Sequence, residues 1–209
     1  MSYGTNNISL IKMVPFKDVI VYGRVEYDHQ VTLYARFVIK HVFQVLPLTS
    51  EDASVRSGNI YFIEKTNEAS YEANLLNRVN ETVKTRGLTE PYTSYSHFDG
   101  KWMYRLLFST KEPFKALLQA KIINDTIVGT AIYVNIAEPP SECPPLVEGF
   151  CVKGYVRVYD RRANRCIHYD GCTKSGPCVD DIPICVPGYD LVSIPSRPNG
   201  CNMYYCDPS

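Results

Sequence analysis

Apolar and polar positions change period several times along this chain. DVIVYGRVEY (residues 18–27) is a β-branched and aromatic run, and after the break at Asp28-His29, QVTLYARFVIKHVFQVL (residues 30–46) alternates over a long distance. Val31, Leu33, Ala35, Phe37, Ile39, His41 and Phe43 take one face, and Arg36, Lys40 and Gln44 the other. The two runs predict a hairpin with a long, curved second strand. NIYFIE (residues 59–64) predicts a third strand after the polar loop TSEDASVRSG. Over residues 69–86, Tyr71, Leu75, Val79 and Val83 recur every four positions among charged and amide residues, which predicts an amphipathic helix stopped by Gly87. Strand signals return in KWMYRLLFST (residues 101–110) and DTIVGTAIYVNI (residues 125–136), and PFKALLQAKII between them fits a short helix or an added strand equally.

Three strands, a helix and two strands is the order of an OB-type five-stranded barrel, in which one helix plugs an end. Closure would leave that sheet no edges. A meander packed on a helix has the same order, and in both cases the fold class is mainly β with α. This domain spans residues 1–140. At AEPPSECPP (residues 137–145) prolines interrupt regular structure just as the cysteines begin, which makes residues 141–209 a second, small module.

All eight cysteines (Cys143, Cys151, Cys166, Cys172, Cys178, Cys185, Cys201 and Cys206) lie in that module, which is too short to bury much core. Each native bridge stabilises such a segment by about 2–4 kcal/mol, so a disulfide framework is expected, its pairing open. Structural zinc sites favour C-x2-4-C pairs. The gaps here are 7, 14, 5, 5, 6, 15 and 4 residues, with His168 alone nearby, so neither a metal nor a cofactor is expected. Bridges imply a secreted, extracellular protein. Three sequons, at Asn7, Asn80 and Asn124, point to the same compartment as a glycoprotein. The opening MSYGTNN has no basic stretch followed by an apolar one, so the sequence reads as a mature form, with Met1 a remnant of expression. The longest run low in charge, TIVGTAIYVNIA (residues 126–137), falls short of the roughly 20 residues a membrane span requires.

Charge is balanced, 22 basic against 22 acidic residues, which argues against nucleic acid as a partner because phosphate neutralisation needs a basic excess. One local exception is RVYDRRANR, where Arg157, Arg161, Arg162 and Arg165 fit contact with a sulfated polysaccharide or an acidic partner, or simply a solvated hairpin. No nucleophile elbow, zinc-protease helix, P-loop or dinucleotide fingerprint occurs. His29, His41, His97 and His168 are scattered, His41 reads as a core residue, and Asp99-Gly100 and Asp125 read as turns. An enzyme is not expected.

Two resemblances add to this. DVIVYGRVEYDHQVTLYARFVIKHVFQV resembles the opening of netrin-like domains, the OB-fold modules of tissue inhibitors of metalloproteinases, and implies that fold for the first domain. Those inhibitors use an N-terminal cysteine on the catalytic zinc, and this domain has none. CVKGYVRVYDRRANRCIHYDGC (residues 151–172) is similar to the core of Kunitz-type serine-protease inhibitors at Arg157, Val158, Tyr159, Asp160, the Ala163-Asn164 turn, Tyr169, Gly171 and Cys172. It departs from them by one residue between Cys151 and Cys166, by two between Cys166 and Cys172, and by lacking the helix that carries their last cysteines. The alternation of Val156 and Val158 with Arg157 and Tyr159 predicts a hairpin on its own. The resemblance implies an inhibitory loop at Cys151, Val152, Lys153 and Gly154, with Val152 or, one register along, Lys153 entering a protease's specificity pocket. Residues 143–178 form this Kunitz-like hairpin. Residues 178–209, containing CVPGYDLVSIPSRPNGCNMYYC, are similar to a unit repeated in many extracellular cysteine-rich proteins.

Together these features predict a secreted protein-binding protein, first as a protease inhibitor acting through its tail. The alternative is an extracellular matrix or adhesive component that assembles through its modules, with sixteen tyrosines available for aromatic contacts.

Overall fold

A computed structural model describes residues 19–27, 35–67, 70–78, 81–108, 116–135, 143–179 and 181–209. The first two runs form the expected hairpin, β1 (Val19–Tyr27) antiparallel to β2 (Ala35–Val45). Its single apolar face does not run unbroken. A bulge between Tyr22 and Gly23 leaves Lys40 as an extra residue on β2 and interrupts the alternation. Phe43, on the near side, is fully buried, whereas Phe37 and Ile39 beyond it are exposed. Val31 and Leu33 lie outside the described residues.

β3 (Asn59–Asn67) contains NIYFIE, and the described part of PFKALLQAKII is a strand, β7 (Ala116–Ile123), paired along its length with β8 (Thr126–Asn135). Two expectations are corrected. In the stretch expected as a helix over residues 69–86 the described residues form β4 (Ser70–Leu75), laddered to β3, and β5 (Thr82–Thr85), laddered to β4, with the turn residue Asn77 at φ 65°; Val79 lies outside the described residues. A four-residue apolar repeat is also an even number of strand steps, so Tyr71 and Leu75 share a strand face as readily as a helix face. Conversely, KWMYRLL is helical, α2 (Gly100–Leu107) following α1 (Ser50–Val55). Asp99 is the N-cap of α2 rather than a turn, its Oδ1 accepting from Trp102 N at 3.1 Å. Trp102, Met103 and Leu107 then fall on one buried stripe. In α1, lying within the expected polar loop, Thr49 caps in the same way, accepting from Asp52 N.

Strand order in the sheet is β1-β2-β8-β7-β3-β4-β5, and the short β6 (Gly87–Thr89) runs parallel to β8 on the edge that β8 shares with β2. Among the described residues no ladder joins β1 to β5. The sheet is therefore open, mainly β with α as expected, and not the closed five-stranded barrel. Leu46, Ile63, Met103, Leu107, Leu118, Ile127 and Ile132 fill one core around Tyr92. Phe43, Leu117, Ala131 and Tyr133 form a second cluster. Tyr92 is fully buried, its hydroxyl donating to Leu46 O at 3.1 Å and accepting from Ile132 N at 3.2 Å, and burial holds its pKa well above the usual phenol value.

The tail adds two hairpins, β9 (Tyr155–Arg161) with β10 (Ile167–Lys174), and β11 (Tyr189–Ser196) with β12 (Cys201–Pro208).

A disulfide-braced turn as the candidate contact site

All eight cysteines are paired, as Cys143–Cys166, Cys151–Cys172, Cys178–Cys201 and Cys185–Cys206. Sequence separations are 23 and 21 in the first pair of bridges and again 23 and 21 in the second. The tail is thus two copies of one unit, each joining its first cysteine to its third and its second to its fourth. The sequence carries the same repeat: Cys151-Val152-Lys153-Gly154-Tyr155 answers Cys185-Val186-Pro187-Gly188-Tyr189, and Asn164, Cys166 and Tyr169 answer Asn199, Cys201 and Tyr204. Backbone geometry agrees. Gly154 and Gly188 sit at φ 87° and 88°, where a side chain would be strained, and each turn is closed by the tyrosine N–H donating to the valine carbonyl, at 3.0 and 3.2 Å.

What surrounds the two turns differs completely. In the second unit the turn is seated on the sheet domain. Tyr189 enters the core, its ring edge-on to Tyr95 and Phe98 and its hydroxyl donating to Pro47 O at 2.9 Å. Burial pushes that phenol far up. A Cβ on Gly188 would lie 2.6 Å from Pro47, so the close approach also needs glycine. Further along, Cys206 N donates to His97 O at 2.9 Å. In the first unit the equivalent turn is not covered by the sheet: Gly154 O accepts from Ser175 N at 3.3 Å, but a Cβ on Gly154 would meet open space. Val152 is 70% exposed and Tyr155 47%, and Phe150, just before the bridge, is 96% exposed. Cys151–Cys172 braces this turn from below. The four residues expected to form the loop, Cys151, Val152, Lys153 and Gly154, are therefore together in one bridged turn and, apart from Cys151, exposed.

The arginine group is dispersed. Arg157 donates to Glu148 at 2.6 Å and to Gly149 O at 3.0 Å. Arg165 lies over the Trp102 ring, 4.2 Å from its centroid. Arg161 is buried, donating twice to Asp207 (2.6 and 2.8 Å), 3.4 Å from Asp99 and stacked on Tyr205. It joins the first unit to the second and both to the cap of α2. Arg162 alone of the four is exposed with no ion pair among the described residues. Sequence reasoning missed both this junction and the internal repeat; the repeat was visible in the shared C-V-x-G-Y and N-x-C-x-x-Y strings.

Of the sequons, Asn124 is exposed at φ 47° beside Asp125 at φ 62°, the tip of the two-residue turn between β7 and β8. Asn7 and Asn80 lie outside the described residues, as does His29. His41 is half-buried between Tyr22 and Phe43, with Nδ1 3.0 Å from Asn135 Nδ2, and His97 Nδ1 is 3.2 Å from Tyr204 O. Among the described residues no three histidine, cysteine, aspartate or glutamate side chains are grouped to hold a metal, and no helix is long and apolar enough to cross a membrane.

No family model and no solved structure matches the chain. It is similar to an uncharacterized protein of Dictyostelium discoideum, 32% identical over 178 residues, which cover 82% of this chain and 61% of the relative. The chain thus spans about three fifths of the length of the curated relative it matches. A match of that extent exceeds the residues preceding Cys143, so the similarity takes in part of the tail as well as the sheet.

Proposed function

We propose that this is a secreted, extracellular protein-binding protein whose first cysteine-rich unit inhibits a protease through the Cys151–Gly154 turn. One observation carries the reading: of two equivalent turns, the second is covered by the chain's own sheet domain, while the first stands exposed with a closely similar backbone. A turn already closed by a bridge and a glycine avoids much of the ordering cost of binding. Val152 suits a small apolar specificity pocket and Lys153 an acidic one, and Phe150 supplies apolar contact beside them. The four disulfides support an oxidising, extracellular setting. The likeness to Kunitz-type cores over residues 151–172 supports the inhibitor reading.

A panel of extracellular proteases assayed with the purified chain and its Val152→Asp and Lys153→Asp variants tests this. Both side chains are exposed, so the substitutions should change stability by less than about 0.5 kcal/mol. Inhibition of at least one enzyme is expected, weakened tenfold or more by the substitution at the residue that enters the pocket. Absence of inhibition at micromolar concentration would remove the proposal.

A further inference from the structure

The outer part of the β1–β2 hairpin is unusual among the elements of this fold. β2 pairs with β8 only at Phe43, Gln44 and Val45, so beyond the bulge the hairpin leaves the sheet as a two-stranded ribbon. An isolated ribbon of this kind is marginal in water. Its two faces are opposite in character. Val25 is paired with Phe37, and the Phe37 ring lies over Gly23, where an added Cβ would meet it at 2.9 Å; with Ile39 these make one apolar face, 52, 51 and 38% exposed at Val25, Phe37 and Ile39. Glu26 is paired with Arg36 on the other face and accepts hydrogen bonds from both Arg36 and Arg24. β1 is also the terminal strand of the sheet, with no ladder on its outer side among the described residues. A long β-branched edge of this kind is a template for another strand.

The edge is self-complementary. If a second copy of β1 lies antiparallel to the first, related by a two-fold axis at Val25, then Arg24 of each copy stands opposite Glu26 of the other. Cross-strand opposite charges at that separation attract, and like charges repel. On the apolar face the same register makes one row across four strands, Phe37 and Val25 of one copy meeting Val25 and Phe37 of the other. We propose that this strand is an isologous dimer interface between two copies of the chain, formed edge to edge about Val25. It stands independently of any role for the Cys151–Gly154 turn. Two short edges bury less than a standard interface, so the association is weak, of roughly micromolar or higher Kd.

Sedimentation of the whole chain across a concentration series tests it with two variants. Arg24→Glu sets glutamate against glutamate at both symmetric contacts, and Glu26→Arg sets arginine against arginine. The parent is expected to dimerise, and each variant alone to associate at least tenfold more weakly. An equimolar mixture of the two restores both pairings and is expected to dimerise as the parent does. Hydrogen exchange supplies a second readout: β1 amides in the parent gain protection as concentration rises, and those of either variant alone do not. A parent that stays monomeric to several hundred micromolar, a variant that associates like the parent, or a mixture that fails to associate although both variants retain the parent's circular dichroism would overturn the proposal.

Discussion

Arg161→Met is expected to destabilise the protein by about 3–5 kcal/mol, the range for removing one partner of a buried ion pair. The side chain is 2% exposed and holds Asp207 of the second unit at 2.6 Å and Asp99, the cap of α2, at 3.4 Å. Methionine roughly keeps the volume but removes the buried cation between the two carboxylates, leaving only Arg165, 3.8 Å from Asp207, at the junction. Loss of the stacking on Tyr205, whose ring centroid lies 4.3 Å from the guanidinium, adds to the effect. Urea unfolding monitored by circular dichroism measures this. The midpoint should fall sharply, whereas the neighbouring Arg162→Met, at an exposed residue, should move it by less than about 0.5 kcal/mol. Equal effects of the two substitutions would mean that Arg161 does not join the three parts of the structure.

The paired tyrosines of the two units should respond as differently as their surroundings. Tyr189→Ala removes a ring packed against Tyr95 and Phe98, together with a hydrogen bond to Pro47 O, and is expected to cost about 3–5 kcal/mol. Tyr189→Phe keeps the ring and loses only the hydrogen bond, so about 1 kcal/mol is expected. Tyr155→Ala, at the equivalent position of the exposed turn, should change stability by no more than about 0.5 kcal/mol. Thermal unfolding of the three variants checks the order. If Tyr155→Ala proved as damaging as Tyr189→Ala, the first turn would be covered by the chain itself, and its availability to a partner would fall with that result.

Sequence and structure agree where local and long-range preferences coincide. The alternation of β2, the β-branched run of β1, the strand in NIYFIE and the hairpin at Tyr155–Arg161 were legible because each pattern has one geometric solution. Residues 70–85 misled because every-fourth spacing satisfies strand and helix alike, and pairing with β3 decided between them. KWMYRLL misled in the opposite sense: its aromatic and β-compatible composition outweighed a cap at Asp99 and apolar residues at Trp102, Met103 and Leu107, which mark a helix. The bulge at Tyr22 and Gly23 left no local signal beyond a glycine, yet it divides the hairpin into a buried root and an exposed end. As for the site, the loop at Cys151–Gly154 was implied by the resemblance to Kunitz-type cores, whereas the fate of its twin was not legible. That depends on Pro47, Tyr95 and Phe98, which are distant in sequence and meet Tyr189 only after the sheet forms. The dispersal of the four arginines has the same origin, since their acidic and aromatic partners come from three separate parts of the chain.

The tail is divided into two separately bridged units, the turn of one seated on the sheet and the turn of the other exposed. Proteolysis of the unreduced protein followed by mass spectrometry of the linked peptides reads that division directly. The predicted result is four bridges, Cys143–Cys166, Cys151–Cys172, Cys178–Cys201 and Cys185–Cys206, with none crossing Pro177. A bridge between any cysteine of residues 143–172 and any of residues 178–206, or free thiols in the native protein, would contradict it.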